Sequence, residues 1–203
     1  MKTKIILIIA AIIIIGGGIF IYFKCFSPEE HPVEPEIIET IEEFGYTLSN
    51  NDPDIFKIEF ENLRAIVNQD EINYEAYAIS LSKLFIIDFY NLNSKINKYD
   101  VGGLEFVHSA IKDNFEVKAM DTIYKFIEDN TDNKRVQKLP EIKEVQLVDI
   151  SIEQEYLIDK NKVPAIVVNL EWDYMEKSTY DARATITFIR NDRKLVLVDL
   201  KTK

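Results

Sequence analysis

Few side chains in this sequence could carry out a reaction. The chain holds one cysteine and two histidines among 203 residues. Cys25 sits at the edge of an apolar run, which leaves the body of the chain without an intramolecular disulfide or a cysteine metal site. His31 lies among prolines and glutamates with no neighbouring ligand and reads as solvated. His108 is then the one histidine left in the body, so a histidine-based metal cluster is excluded and carboxylates would have to bind any metal alone. A serine nucleophile could use only His108 as its base, and no G-x-S-x-G turn exists to present one. Because His108 opens a helical stretch, capping or a surface position is its commonest use. Asp88 falls among apolar positions in LSKLFIIDFYNL. A carboxylate buried there is either a partnered structural acid, the commoner case, or a functional one with a raised pKa. The pair Gly102 and Gly103 lacks the preceding strand and the following GK[ST] of a phosphate loop. The expectation is therefore no catalytic residue, no metal and no cofactor.

The stretch that must position everything else is Ile5–Phe23, IILIIAAIIIIGGGIFIYF, uncharged and bracketed by Lys2 and Lys4 before it and Lys24 after it. As a helix it reaches roughly 28 Å, about the hydrocarbon thickness of a bilayer. It reads as a membrane span. A cleaved signal peptide would need small residues soon after the apolar core, and cutting at Gly16–Gly18 would leave IFIYF on the mature end. Acylation of Cys25 would need small or aliphatic residues where Tyr22, Phe23 and Lys24 stand. The organisation expected is a cytoplasmic tip over 1–4, an anchor over 5–24, an acidic Pro-rich linker over 25–36 and an extracytoplasmic domain over 37–203. Two lysines and the amino terminus before the span, against one lysine after it, place the N-terminus inside the cell.

The net charge of −11 is unevenly spread. Ser27 to Ser80 carries fourteen acidic residues against two basic ones, whereas Leu81 to Lys203 carries twenty-one against nineteen. The acidic part should stand off anionic head groups, and nonspecific nucleic-acid binding by it is disfavoured. SPEEHPVEPE, from Ser27 to Glu36, reads as an extended spacer.

Beyond the linker, Ile37–Leu48 alternates as a strand would, although adjacent glutamates leave a helix open. Asp52 and Pro53 read as the N-cap and first position of a helix that puts Phe56, Phe60, Leu63 and Val67 on one face. A second and longest helix, Ile72 to Asn93, carries Tyr77, Leu81, Leu84, Phe85, Phe89 and Leu92 inward. A third holds Phe115, Ala119, Ile123 and Phe126 on its inner stripe. TDNKRVQKLP, with Lys134, Arg135 and Lys138, is a loop that either docks an acidic partner or lipid head group or is simply solvated. Everything after Pro140 reads as strand. Val145–Tyr156 changes parity between Leu147 and Val148 as at a β-bulge. Ile166, Val168, Leu170, Trp172 and Tyr174 face inward, then Ala184, Ile186 and Phe188, and KLVLVDL closes the meander. The fold class expected is α+β, three helices on a curved antiparallel sheet of four strands, or five with the first.

This order of elements, with its bulged first meander strand, resembles the cone-shaped nuclear transport factor two-like superfamily. Behind a single span it resembles the extracytoplasmic assembly subunits of type IV secretion and conjugation systems. LSKLFIIDFYNLNSKINKYDVGGLEFVHSAIKDNF together with KLPEIKEV is similar to a group of membrane-anchored proteins of low-GC bacteria, over most of 37–203, with no activity attached. Enzymes of the cone-shaped superfamily use an Asp, His or Tyr in an apolar cup. The resemblance thus implies Asp88, Tyr90, His108, Trp172 and Phe188 as candidate pocket lining, although aromatics so spaced more often fill a core. It also implies a domain that binds protein partners or itself, with a small-molecule binder or enzyme as the alternative.

Overall fold

The computed structural model describes residues 36–202 apart from residue 159. The expected span Ile5–Phe23, the cytoplasmic tip and nearly all of the linker lie outside the described residues. Among the described residues no helix is long and apolar enough to cross a membrane. Over the described residues the class is α+β, with three helices, a four-stranded antiparallel sheet and a separate two-stranded sheet.

The first departure from the sequence reading is at the start. Ile37–Leu48 is not one strand beside the main sheet but a hairpin of β1 (Ile37–Ile41) and β2 (Tyr46–Ser49), a sheet of its own. Gly45 explains the turn. It adopts φ 63°, a left-handed conformation that costs glycine little, and its N–H donates to the Ile41 carbonyl at 2.8 Å. Ile41, Phe44, Tyr46 and Leu48 are all buried, so the hairpin presses a continuous apolar face into the core.

Helix α1 (Asp54–Val67) buries Phe56, Phe60, Leu63 and Val67, the face its spacing predicts. Its N-cap is Pro53 rather than Asp52, because Pro53 has ψ 157° and stays extended. The Asp52 carboxylate instead accepts from Ser49 N at 2.6 Å, closing the chain reversal ahead of the helix. Helix α2 (Tyr74–Tyr90) is buried almost all round and lies against the main sheet, with α1 packed on it. Asn73 caps it, its side chain accepting from Glu75 N and Ala76 N at 3.1 Å each. A short 3-10 turn over Leu92–Ser94 follows.

Helix α3 (Ser109–Asp121) ends a turn earlier than its apolar stripe suggests. Thr122 Oγ1 donates to the Lys118 carbonyl at 2.6 Å and closes the last turn. Phe126 therefore falls beyond the helix and is 76% exposed, while Tyr124 and Ile127 take the buried places.

The meander β3 (Ile142–Ile158), β4 (Asn161–Tyr174), β5 (Arg183–Asn191) and β6 (Lys194–Thr202) is paired in sequence order. The bulge expected at Val148 is there, since Leu147 pairs with Leu170 and Asp149 with Asn169 while Val148 pairs with nothing. Two more irregularities follow the same strand, between Ile142 and Glu144 and between Ser151 and Gln154. Bulges bend a strand and raise its twist. The sheet curls enough that Tyr156 on β3 donates to the Val198 carbonyl of β6 at 3.2 Å. Ala165, Ile189, Val196 and Val198 form a small second core on the outer face at that end, under Tyr156, Ile158 and Val163.

Candidate functional site

The inner face of the sheet and α2 enclose the region where the sequence places a cup. Aromatic rings fill it. Tyr46, Tyr77, Phe85, Phe106 and Phe188 have no solvent exposure, and Phe85 stacks on Phe89 with centroids 5.4 Å apart. Phe188, one of the expected lining residues, is thus a core side chain on β5.

Buried Lys95 forms an ion pair with half-buried Asp88. The ammonium bonds Asp88 Oδ1, and Asp88 Oδ2 accepts from Gly103 N at 2.6 Å. Burial alone would lower the Lys95 ammonium, but the Asp88 carboxylate, with Tyr124 and Asp100, carries it above the ordinary lysine value. The two glycines serve this pair. A methyl on Gly102 would collide with the Asp88 backbone and lie 2.6 Å from its carboxylate, and one on Gly103, at φ 76°, would lie 2.8 Å from the Phe85 ring. Tyr124 completes the knot by donating to the Phe89 carbonyl at 2.7 Å and accepting from Gly102 N at 3.1 Å. Every polar group here is partnered within the chain, so the arrangement locks loop 95–103 onto α2.

Tyr90 and Trp172 meet with centroids 4.7 Å apart. The Tyr90 hydroxyl and Trp172 Nε1 are buried without a hydrogen-bond partner. Burial pushes the Tyr90 phenol above its ordinary value, so it stays a neutral donor. A buried donor left unpaired suits a water or another small acceptor. His108 lies apart from them as the N-cap of α3, its Nδ1 accepting from Ala110 N at 3.1 Å while its backbone N–H donates to the Leu197 carbonyl at 2.8 Å. The five residues grouped by the resemblance therefore do not converge: Tyr90 and Trp172 meet, Asp88 serves a loop, His108 caps a helix and Phe188 packs.

Glu105 escaped the sequence reading. Its carboxylate accepts from Thr47 N at 3.1 and 3.2 Å and from Thr47 Oγ1 at 2.7 Å, closing the open edge of β2. Burial pushes this carboxyl up to about 7, against the Thr47 hydrogen bonds and Lys194, which pull it down. Lys194 lies over the Tyr46 ring and donates to the Phe44 and Glu105 carbonyls at 2.6 and 3.3 Å. These bonds tie the hairpin to the body. No local pattern in LEFVHS announces them, because both partners lie far off in the chain.

Three clefts open at the surface. One of about 500 Å³ runs between Gln137–Glu141 and Met175–Tyr180. Of the five candidate lining residues Trp172 borders one of the two smaller clefts, and Asp88, Tyr90, His108 and Phe188 line none of the three. Among the described residues no group of three or more His, Cys, Asp or Glu side chains is placed to hold a metal ion.

The two sheet edges differ. The β6 edge is covered by Phe106–His108, where Leu197 N donates to the Phe106 carbonyl at 2.8 Å. β3 pairs only with β4 among the described residues, and Leu147, Val148, Ile152 and Leu157 stand exposed along its 17 residues. Compared with family models, curated proteins and solved structures, the chain finds no match in any of the three.

Proposed function

We propose that the chain is a membrane-anchored, noncatalytic interaction module whose extracytoplasmic domain binds protein through the open edge of β3. The observation that carries this is the contrast between a cup filled with rings and a long edge strand left with exposed apolar side chains. An unpaired edge offers backbone donors and acceptors to an extended partner segment. The charges along β3 favour a basic partner over a second copy: Glu144, Asp149, Glu153 and Glu155 stand against Lys143 alone. Two copies of such a strand would set like charges together. The anchor itself rests on the sequence of Ile5–Phe23, and the outward placement on the lysines flanking it. The likeness to envelope assembly subunits, one of element order, fits the same role.

A photo-crosslinking residue at Ile152, used in native membranes, should capture a heterologous protein. Capture of monomer alone would remove the basis of the reading. A second reading, a small ligand between Tyr90 and Trp172, draws on their two unpartnered donors. Its test is whether Tyr90→Phe lowers stability.

A further inference from the structure

Among the described residues Lys95 is the one buried charged residue, its side chain 6% exposed against 19% for that of Asp88. An ammonium carries three N–H donors, and among the described residues this one has a single partner, Asp88 Oδ1. Burying a charge with donors unanswered is costly. An amide nitrogen in the same place would carry one N–H and no charge.

The surroundings of Asp88 are those of an acylation site. Its Oδ1 bonds the Lys95 ammonium, so the nitrogen already lies against the carboxyl group. Its Oδ2 accepts from Gly103 N at 2.6 Å, a backbone donor aimed at the oxygen on which charge gathers when Cγ is attacked. The side chains of Phe85 and Tyr124, both without exposure, close over the loop that carries this donor. Phe85 lies against Gly103, and the Tyr124 hydroxyl accepts from Gly102 N. Asp52 and Asp100 act on the same pair, and burial pushes Asp52 up to about 6, so a carboxyl able to pass a proton stands nearby.

We propose that Lys95 and Asp88 join in an intramolecular isopeptide bond, Nζ to Cγ, which the folded chain forms by itself with loss of one water. The charged pair is the resting form. One proton passes from Nζ to Oδ1 along the hydrogen bond between them, leaving a neutral amine and a carboxylic acid. The amine lone pair attacks Cγ, and the electrons of the Cγ–Oδ2 double bond move onto Oδ2, where the Gly103 N–H holds them. A second proton leaves the nitrogen for Oδ1. The Cγ–Oδ1 bond then breaks, Oδ1 departs as water and the Cγ–Oδ2 double bond re-forms. Ammonium and carboxylate have become an amide and a water, with no oxidant, reductant or activated donor. Fixed contact between the reacting groups gives this step a rate that two free side chains in water lack. The amide closes residues 88–95 into a ring and holds the start of the 95–103 loop on α2 covalently.

The test is mass spectrometry on the full chain, purified folded in detergent, then denatured and digested with trypsin. Trypsin cuts after Lys83, Lys95 and Lys98. An acylated lysine is not cut. The expected product is therefore one peptide over 84–98, lighter than its sequence by one water, with fragment ions placing the loss between Asp88 and Lys95. Lys95→Arg keeps a cation but offers no amine to acylate, and its peptide over 84–95 should show the full mass. Separate wild-type peptides over 84–95 and 96–98, both at full mass, would overturn the proposal. So would a loss of water that persists in Lys95→Arg or that maps outside 88–95. The wild-type digest decides the matter even where the variant fails to fold.

Discussion

Glu105 shows how much one side chain can change with its surroundings. Its carboxyl is raised from 4.5 to about 7, burial being the largest cause. Between those values the folded state holds a proton that the unfolded state releases. Its contribution is therefore fully present below about pH 4.5 and is lost as pH rises through about 7. Urea unfolding followed by the fluorescence of Trp172, the single tryptophan, should show a wild-type stability that falls from about pH 5 to about pH 8. Glu105→Gln should flatten that fall by on the order of 2 kcal/mol. An unchanged pH profile would mean the carboxyl titrates normally. The Asp88–Lys95 pair predicts asymmetry of another kind. Lys95→Met strands a half-buried carboxylate and should cost up to about 3 kcal/mol, while adding Asp88→Asn should recover much of that. Tyr90→Phe removes a buried hydroxyl that has no partner, so it should leave stability level or raise it. A loss of about 1 kcal/mol or more would mean the hydroxyl is bound to something, and would favour the small-ligand reading.

At the scale of elements, the caps and turns decide where the sequence reading succeeds. The face of α1 and the bulge at Val148 were legible because each is a local period or its interruption. The hairpin of β1 and β2 was not, since its signal is one glycine in an acidic run and its anchoring residue, Glu105, lies 58 positions beyond Thr47. Phe126 was misplaced because the apolar stripe runs on past Thr122, whose side chain closes α3. His108 acts on α3 as an acceptor, so His108→Ala should cost about 1 kcal/mol and His108→Asn should restore it, read as urea midpoints. A catalytic histidine would leave stability unmoved in both. Gly102→Ala, which drives a methyl against Asp88, should cost about 1–3 kcal/mol and loosen hydrogen exchange over the 95–103 loop.

At the scale of the molecule, the class and the order of elements could be read from the sequence, and the site could not. A cup and a filled core draw on the same alternation of aromatic residues, and only packing separates them. The open edge of β3 was equally hidden, because whether a strand is central or outermost depends on pairing that no single segment encodes. Among the described residues one edge of the main sheet is covered and the other is open and acidic. The proposed site for a protein partner is the β3 edge. The most direct measurement is photo-crosslinking from Ile152 in native membranes, with and without Val148→Lys on the same strand. A heterologous adduct that disappears with Val148→Lys, while unfolding shifts by less than about 0.5 kcal/mol, is the expected result. Monomer alone from both would contradict the claim.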